Sequence, residues 1–297
     1  MLIRRNIALA CTATISLVLS LASCSNSGRQ AANTSDALIE DARRLTGEHK
    51  VREALDTLAR AKQADPTRTD IYLLRSTLLE QSANLTDALR EVLAAHKLDP
   101  KNSEITMRAL KLGINWMHPA ESEALAHQVV AQHPEDPDAQ LMLGSAIAKS
   151  DRLDRFPEAL RALQRANQID PEFPAPILDM GKLYSRMGDN VKAAAMLESA
   201  VKLLDLQAQS VVMTIPDLEG WLENRRTATF RLSQVYSRMG RTADARDAMS
   251  ATATWTSRRT ELRLIKTRAF STPPDVAAQT KFTRIGRQGL SYWKEKP

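Results

Sequence analysis

Four prolines set the measure of this chain. Pro66, Pro100 and Pro134 recur every 34 residues, and Pro171 follows after 37. Each closes a similar triplet: Ala64-Asp65-Pro66, Leu98-Asp99-Pro100, Gln132-His133-Pro134 and Ile169-Asp170-Pro171. A fixed period in this range marks a supersecondary unit that cannot bury its apolar face alone and must stack on copies of itself. The composition makes that unit helical. Gly is scarce at 10 in 297 residues, aromatics are 4%, and Ala, Leu, Arg and Glu abound.

With the proline at position 32, the apolar residues of successive units fall into register. The unit from Ser35 places Ala42 at position 8, Leu45 at 11, Ala54 at 20, Leu58 at 24 and Ala61 at 27. Thr69 opens the second, with Ser76, Leu79, Ala88, Val92 and Ala95 at the same places. Pro137 opens the fourth, with Gly144, Ile147 and, after three extra turn residues, Ala159, Leu163 and Ala166. The fifth, from Pro174, supplies Gly181, Tyr184, Ala193, Leu197 and Ala200; the sixth, from Arg226, supplies Ser233, Tyr236, Ala245 and Met249. Tyr-Ser-Arg-Met-Gly occurs at 184–188 and again at 236–240. The pattern resembles the tetratricopeptide repeat (TPR) over residues 35–254. The resemblance implies an all-α solenoid of about six stacked antiparallel helix hairpins. Small residues at 8 and 20 let the helices cross closely, with Gly181 expected opposite Ala193. Proline at 32 ends each second helix, because it lacks an N–H and clashes with the preceding turn.

Departures carry information. The third unit, from Ser103, has Leu110 and Gly113 where a small and then a large residue belong, and Ser122 in place of alanine. The fifth has no closing proline. Its second helix is expected to run on toward Gln209, with a new helix from about Asp217, so that 206–225 forms an insertion. Such a segment is either a structural extension or a partner contact. The last 43 residues, 255–297, form a basic region of net charge +7, whereas residues 24–254 carry −3. Within it, Ser257–Phe270 is expected to cap the open end of the array, with Pro273-Pro274 as its stop. Beyond, Phe282, Ile285, Leu290, Tyr292 and Trp293 either belong to a solvated tail or lie on an anionic membrane or surface.

The N-terminus addresses the protein. Arg4 and Arg5 precede an apolar run from Ile7 to Leu21, which is too short for a stable transmembrane helix and reads as a signal peptide, 1–23. Leu21-Ala22-Ser23-Cys24 resembles the bacterial lipobox. That resemblance implies lipidation of Cys24, a linker over 24–34, and a cell-envelope location. Ser25 rather than aspartate after the cysteine implies the outer membrane, facing the periplasm. Each buried methylene adds about 0.8 kcal/mol, so a multiply acylated cysteine would hold the chain at a membrane. Cys11 leaves with the signal, so the mature chain can form neither an internal disulfide nor a cysteine metal site.

Chemistry is not conspicuous. The five histidines contain no His-Glu-x-x-His, and neither a phosphate-binding Gly-x-x-x-x-Gly-Lys-Ser/Thr loop nor a Gly-x-Ser-x-Gly turn occurs. The expectation is a binding protein, not an enzyme, with no cofactor and no metal. In a TPR array, positions 2, 5, 9, 12 and 13 of the first helices line a groove. Position 5 is apolar throughout: Ile39, Leu73, Met107, Leu141, Leu178 and Phe230. Part of that stripe could equally be core between repeats. Positions 9 and 13 add Lys149, Lys182, Arg186, Gln234 and Arg238, and Arg231 lies beside Phe230. These seven residues (Lys149, Lys182, Arg186, Phe230, Arg231, Gln234 and Arg238) are the candidate site for a protein segment bearing acidic and apolar residues. Nucleic acid is not an expected partner for an exported chain. The whole is similar to bacterial TPR lipoproteins that assist assembly of envelope machines, such as pilus pilotins. The alternative is an accessory role in polysaccharide export or cell-wall machinery.

Overall fold

The computed structural model describes residues 34–114, 117–150, 152–210, 213–269, 271 and 275–293. The signal peptide and Cys24 lie outside them, as does most of the linker. Among the described residues every regular element is helical. In order they are α1 (34–47), α2 (Val51–Ala64), α3 (Thr69–Gln81), α4 (Leu85–Leu98), α5 (Ser103–Gly113), α6 (Pro119–Gln132) and α7 (Pro137–Lys149). Then come α8 (Phe156–Ile169), α9 (Pro174–Arg186), α10 (Asn190–Ser210), α11 (Ile215–Arg238), α12 (Thr242–Ala269) and α13 (Val276–Gln288), with a short 3₁₀ turn over Gly289–Trp293.

The periodic prolines do what their chemistry requires. α2, α4, α6 and α8 each end two residues before one of them. The residue between, Asp65, Asp99, His133 or Asp170, leaves the helix with φ near −142, −133, −133 and −132°. All four have left the α region, which a following proline disfavours, and Asp65 and Asp170 are extended. Starts are equally local. Pro119, Pro137 and Pro174 occupy the first turn, where no intrahelical donor is needed. Asp136 accepts from the backbone N–H groups of Asp138 (2.8 Å) and Ala139 (3.3 Å).

Two compact units divide the chain, the first running to Leu112 and the second from Gly113. The division falls in the third repeat, where the small-large pattern is inverted. In the first unit the register positions Ala42, Ala54, Leu58, Ala61, Val92 and Ala95 are all buried in one core. Glu91 joins its repeats: it is buried, and accepts from Lys62 and from Arg75, each at 3.0 Å.

In the second unit α7 pairs with α8, α9 with α10, and α11 with α12. Two glycines mark the close crossings. A Cβ on Gly144 would stand 2.7 Å from Leu163 Cγ, and one on Gly181 2.7 Å from Leu197 Cγ. The neighbour that presses on Gly181 is therefore Leu197 at position 24, one turn beyond the alanine expected from the register. Met249, expected in the core, is 49% exposed. It sits off the narrow buried stripe of α12 to which Ala245 and Thr252 belong.

The segment 206–225 forms no long loop. α10 continues to Ser210, and α11 begins at Ile215 and runs unbroken to Arg238, so the sixth repeat starts in mid-helix. Asp217, near which the helix is expected to begin, is the third residue of α11. Thr214 caps it, and the two complete a reciprocal pair: Asp217 N–H donates to Thr214 Oγ1 and Thr214 N–H to Asp217 Oδ2 (3.2 Å). α12 likewise runs through Trp255 without a break, so the expected capping segment from Ser257 is its C-terminal half. α13 then packs back on α12. Ile285, Tyr292 and Trp293 are buried with Leu204, Leu218, Trp221, Leu222 and Leu262, and Phe282 and Leu290 pack against them. These five apolar residues of the tail are packed in this core, which corrects both the solvated tail and the membrane-lying face expected of them.

Candidate functional site

Position 13 of the last three repeats has one recurrent task. Lys149 Nζ donates to the backbone carbonyl of Ile114, and to that of Met117 at 2.8 Å. Arg186 donates to the carbonyl of Ala148 at 2.7 Å, and Arg238 to that of Ser185 at 3.2 Å. Ile114, Ala148 and Ser185 are each position 12 of the preceding repeat. At Ile114 and Ala148 the cation satisfies a carbonyl at the C-terminal end of a helix, and at Ser185 it joins the Gly188 N–H on the same carbonyl; in each case it complements the negative end of the helix dipole. The sequence offered only the cations; this brace depends on how successive repeats stack.

The same geometry gathers charge. A pocket of about 250 Å³ is lined by Ser145, Lys149, Asp179, Lys182, Arg186 and Arg231, with Leu163 and Leu183 beneath. Four of the seven expected residues, Lys149, Lys182, Arg186 and Arg231, meet here. Phe230, Gln234 and Arg238 do not line it. Phe230 is half-buried, Gln234 accepts from Arg231 at 3.1 Å, and Arg238 serves Ser185. Arg186 also lies over the ring of Phe156, 4.4 Å from its centroid, which fixes the guanidinium by a cation–π contact.

Asp179 is the member that the sequence did not single out. Its carboxylate accepts from Lys182 Nζ (2.7 Å) and from Ser145 Oγ (2.7 Å). The spacing Asp179–Lys182, three residues on one helix, is a local signal for that pair. Its bond to Ser145 on α7 could be found only from the stacking. Against one carboxylate the pocket sets four cations, so it attracts anions. Of the position-5 stripe, Ile39, Leu141 and Leu178 are buried core, whereas Leu73, Met107 and Phe230 keep partial exposure.

Among the described residues no group of three His, Cys, Asp or Glu side chains could hold a metal ion, and no helix is long and apolar enough to cross a membrane.

TPR family models match residues 118–171 and 153–209. No curated protein sequence matches the chain. Solved structures do match in fold. TTC0263, a thermophilic TPR protein of Thermus thermophilus, is 19% identical, with a TM-score of 0.51 over 68% of this chain and 98% of its own. A MamA structure from Desulfovibrio magneticus RS-1 is 18% identical, with a TM-score of 0.50 over 60% of this chain and 97% of its own. PilW, a widely conserved type IV pilus biogenesis factor, is 16% identical, with a TM-score of 0.50 over 83% of this chain and 97% of its own. Residues 118–209 therefore carry tetratricopeptide repeats, and the fold of the chain is that of a TPR-like solenoid.

Proposed function

We propose that this protein is an envelope scaffold, anchored through lipid on Cys24 to the outer membrane and facing the periplasm. There it holds an acidic and apolar segment of a protein partner against the first helices of its second unit. It assists assembly of a secretion or pilus-type complex. The observation that carries this reading is the convergence of Lys149, Lys182, Arg186 and Arg231, from three successive repeats, on one pocket. An array that binds protein segments presents such cations where an acidic side chain can reach several at once. Likeness in fold to PilW, itself a pilus biogenesis factor, and the lipobox-like Leu21-Ala22-Ser23-Cys24 support the setting.

A second reading draws on the buried state of Ile39, Leu141 and Leu178. With part of the apolar stripe withdrawn into the core, an acidic glycan of an export or cell-wall machine would still find the cations. One experiment separates the two. Crosslinking in envelope membranes captures the partner, which is then titrated against the parent, Arg186→Glu, Arg231→Glu and Phe230→Ala at low and moderate salt. For a protein partner, both charge reversals weaken binding and flatten its salt dependence, and Phe230→Ala costs about 2 kcal/mol. A glycan partner is indifferent to Phe230→Ala. Unchanged binding in all three variants removes the pocket from the function. The anchor is tested separately: Cys24→Ala is expected to leave an uncleaved or soluble precursor, and normal maturation with membrane fractionation sinks the lipoprotein assignment.

A further inference from the structure

Two guanidiniums lie over the ring of Trp255, and only one of them has a carboxylate. The ring, on α12, meets Trp221 of α11 edge to face, with centroids 5.1 Å apart. The central carbon of Arg225 stands 5.3 Å from its centroid and that of Arg258 4.7 Å. Asp205 on α10 accepts from Arg225 with both oxygens, at 3.1 and 3.0 Å. Arg258 is half-buried and makes neither an ion pair nor a hydrogen bond among the described residues. Burial draws its guanidinium below the ordinary arginine value, and no carboxylate opposes that shift. The acidic side chains of this corner are used elsewhere. Glu261 accepts from the Trp293 indole at 2.8 Å, and Glu223 pairs with Arg226 and Arg259. The Trp255 indole N–H is itself buried without an acceptor among the described residues, so donors exceed acceptors here. A covered charge without a counter-charge costs free energy, and an apolar side chain would cover the ring without that cost.

We propose that Trp255 and Arg258 form a docking site for an aspartate or glutamate side chain of a protein partner. The chain already holds the pattern for it. On the same indole, Arg225 gives two N–H groups to the one carboxylate of Asp205. A partner's carboxylate would meet Arg258 in the same two-point way. Because Arg258 is half-buried, a protruding side chain reaches it more closely than a layer of lipid headgroups does. Partly covered tryptophan and arginine are also the side chains that carry most binding energy at protein interfaces. The net charge of +7 over residues 255–297 draws acidic partners to this region. The site shares no residue with the pocket of Lys149, Lys182, Arg186 and Arg231, and it does not depend on how that pocket is read.

The test uses the full chain labelled with ¹⁵N at its four tryptophan indoles, with Trp255→Phe to assign the Trp255 signal. The probe is a nine-residue peptide alternating leucine and glutamate, and its glutamine analogue is the control. The parent is expected to show a saturable shift of the Trp255 signal with the glutamate peptide and none with the glutamine one. Arg258→Gln keeps a long polar side chain and removes the charge. It should weaken the response about tenfold, as loss of a charge-assisted pair does. Arg258→Lys, which keeps the charge without the two-point contact, should fall between that variant and the parent. The other three indole signals, unmoved, establish that both variants fold. Arg186→Glu should leave the Trp255 response in place, so that failure of the pocket and failure of this site are told apart. A Trp255 signal that is silent in the parent, that responds equally in both Arg258 variants, or that loses its response in Arg186→Glu overturns the inference. So does a shift that depends on Arg258 but comes only from phosphatidylglycerol vesicles or polygalacturonate, which would give the site to a membrane or a glycan.

Discussion

Gly181 and Gly220 both lie inside helices of the second unit, and replacing each by alanine should have opposite effects. At Gly220 an added Cβ meets nothing within 4 Å. Gly220→Ala should therefore stabilise by about 0.5–1 kcal/mol, because glycine is the poorer helix former. At Gly181 the Cβ would stand 2.7 Å from Leu197 Cγ and 3.3 Å from the Leu197 backbone nitrogen. Rotating the leucine does not move that nitrogen, so Gly181→Ala should cost about 1–3 kcal/mol. Urea midpoints decide, and stabilisation by both substitutions would mean that α9 and α10 do not cross closely there. A titratable residue adds a pH test. Glu123 is held below its ordinary value of 4.5 by hydrogen bonds from Arg155, with a smaller contribution from His127. Its folded form binds a proton less readily than its unfolded form. The stability it contributes is thus present above about pH 4.5 and is lost as pH falls through the depressed folded value. Glu123→Gln should flatten the fall of melting temperature below pH 4.5; an unchanged slope would show that other carboxylates set it.

At the scale of elements, the sequence was most legible where a residue acts on its own backbone. Prolines 66, 100, 134 and 171 announced four helix ends, and the structure ends helices two residues before each. Signals that depend on neighbours were not legible. The missing proline of the fifth repeat said that α10 runs on, yet nothing local said that α11 absorbs the next repeat's start in one helix of 24 residues. The aromatic tail was ambiguous for the same reason: amphipathic basic helices suit a membrane surface or a protein core, and only packing against Trp221 and Leu262 resolves which. The pocket was half legible. Lys149, Lys182 and Arg186 follow from positions 13 and 9, and Arg231 from its place beside Phe230, but the use of Lys149 and Arg186 as inter-repeat braces and their company with Asp179 depend on stacking. That bracing makes an ordered prediction. Lys149 is half-buried and serves two carbonyls, whereas Arg238 is exposed and serves one, that of Ser185, together with the Ser185 hydroxyl. Lys149→Met should cost about 1–3 kcal/mol by leaving sheltered acceptors unpaired, and Arg238→Met about 1 kcal/mol or less, since water replaces it. Chemical denaturation gives both values, and the reverse order would deny the brace its role.

For the molecule as a whole, the inverted third repeat has a thermodynamic consequence. Leu110 at position 8 and Gly113 at position 11 exchange the small and large residues, and the chain divides into its two units between Leu112 and Gly113. Stability in stacked repeats is a sum of each repeat's own terms and its interfaces, so cooperativity is lost first where the pattern is broken. Each unit has a core of its own, with Leu58 buried in the first and Leu218 in the second. Leu58→Ala and Leu218→Ala should each cost about 2–5 kcal/mol, felt mainly by the unit that contains the cavity. The four tryptophans, at 116, 221, 255 and 293, all fall in the second unit's part of the chain. Their fluorescence therefore reports that unit, whereas far-ultraviolet circular dichroism reports helices in both. In urea, Leu58→Ala should advance the dichroism transition and leave the fluorescence midpoint in place; Leu218→Ala should move the fluorescence midpoint. Coincident transitions that shift together in both variants would mean that the third repeat, inverted as it is, still couples the array into one cooperative unit.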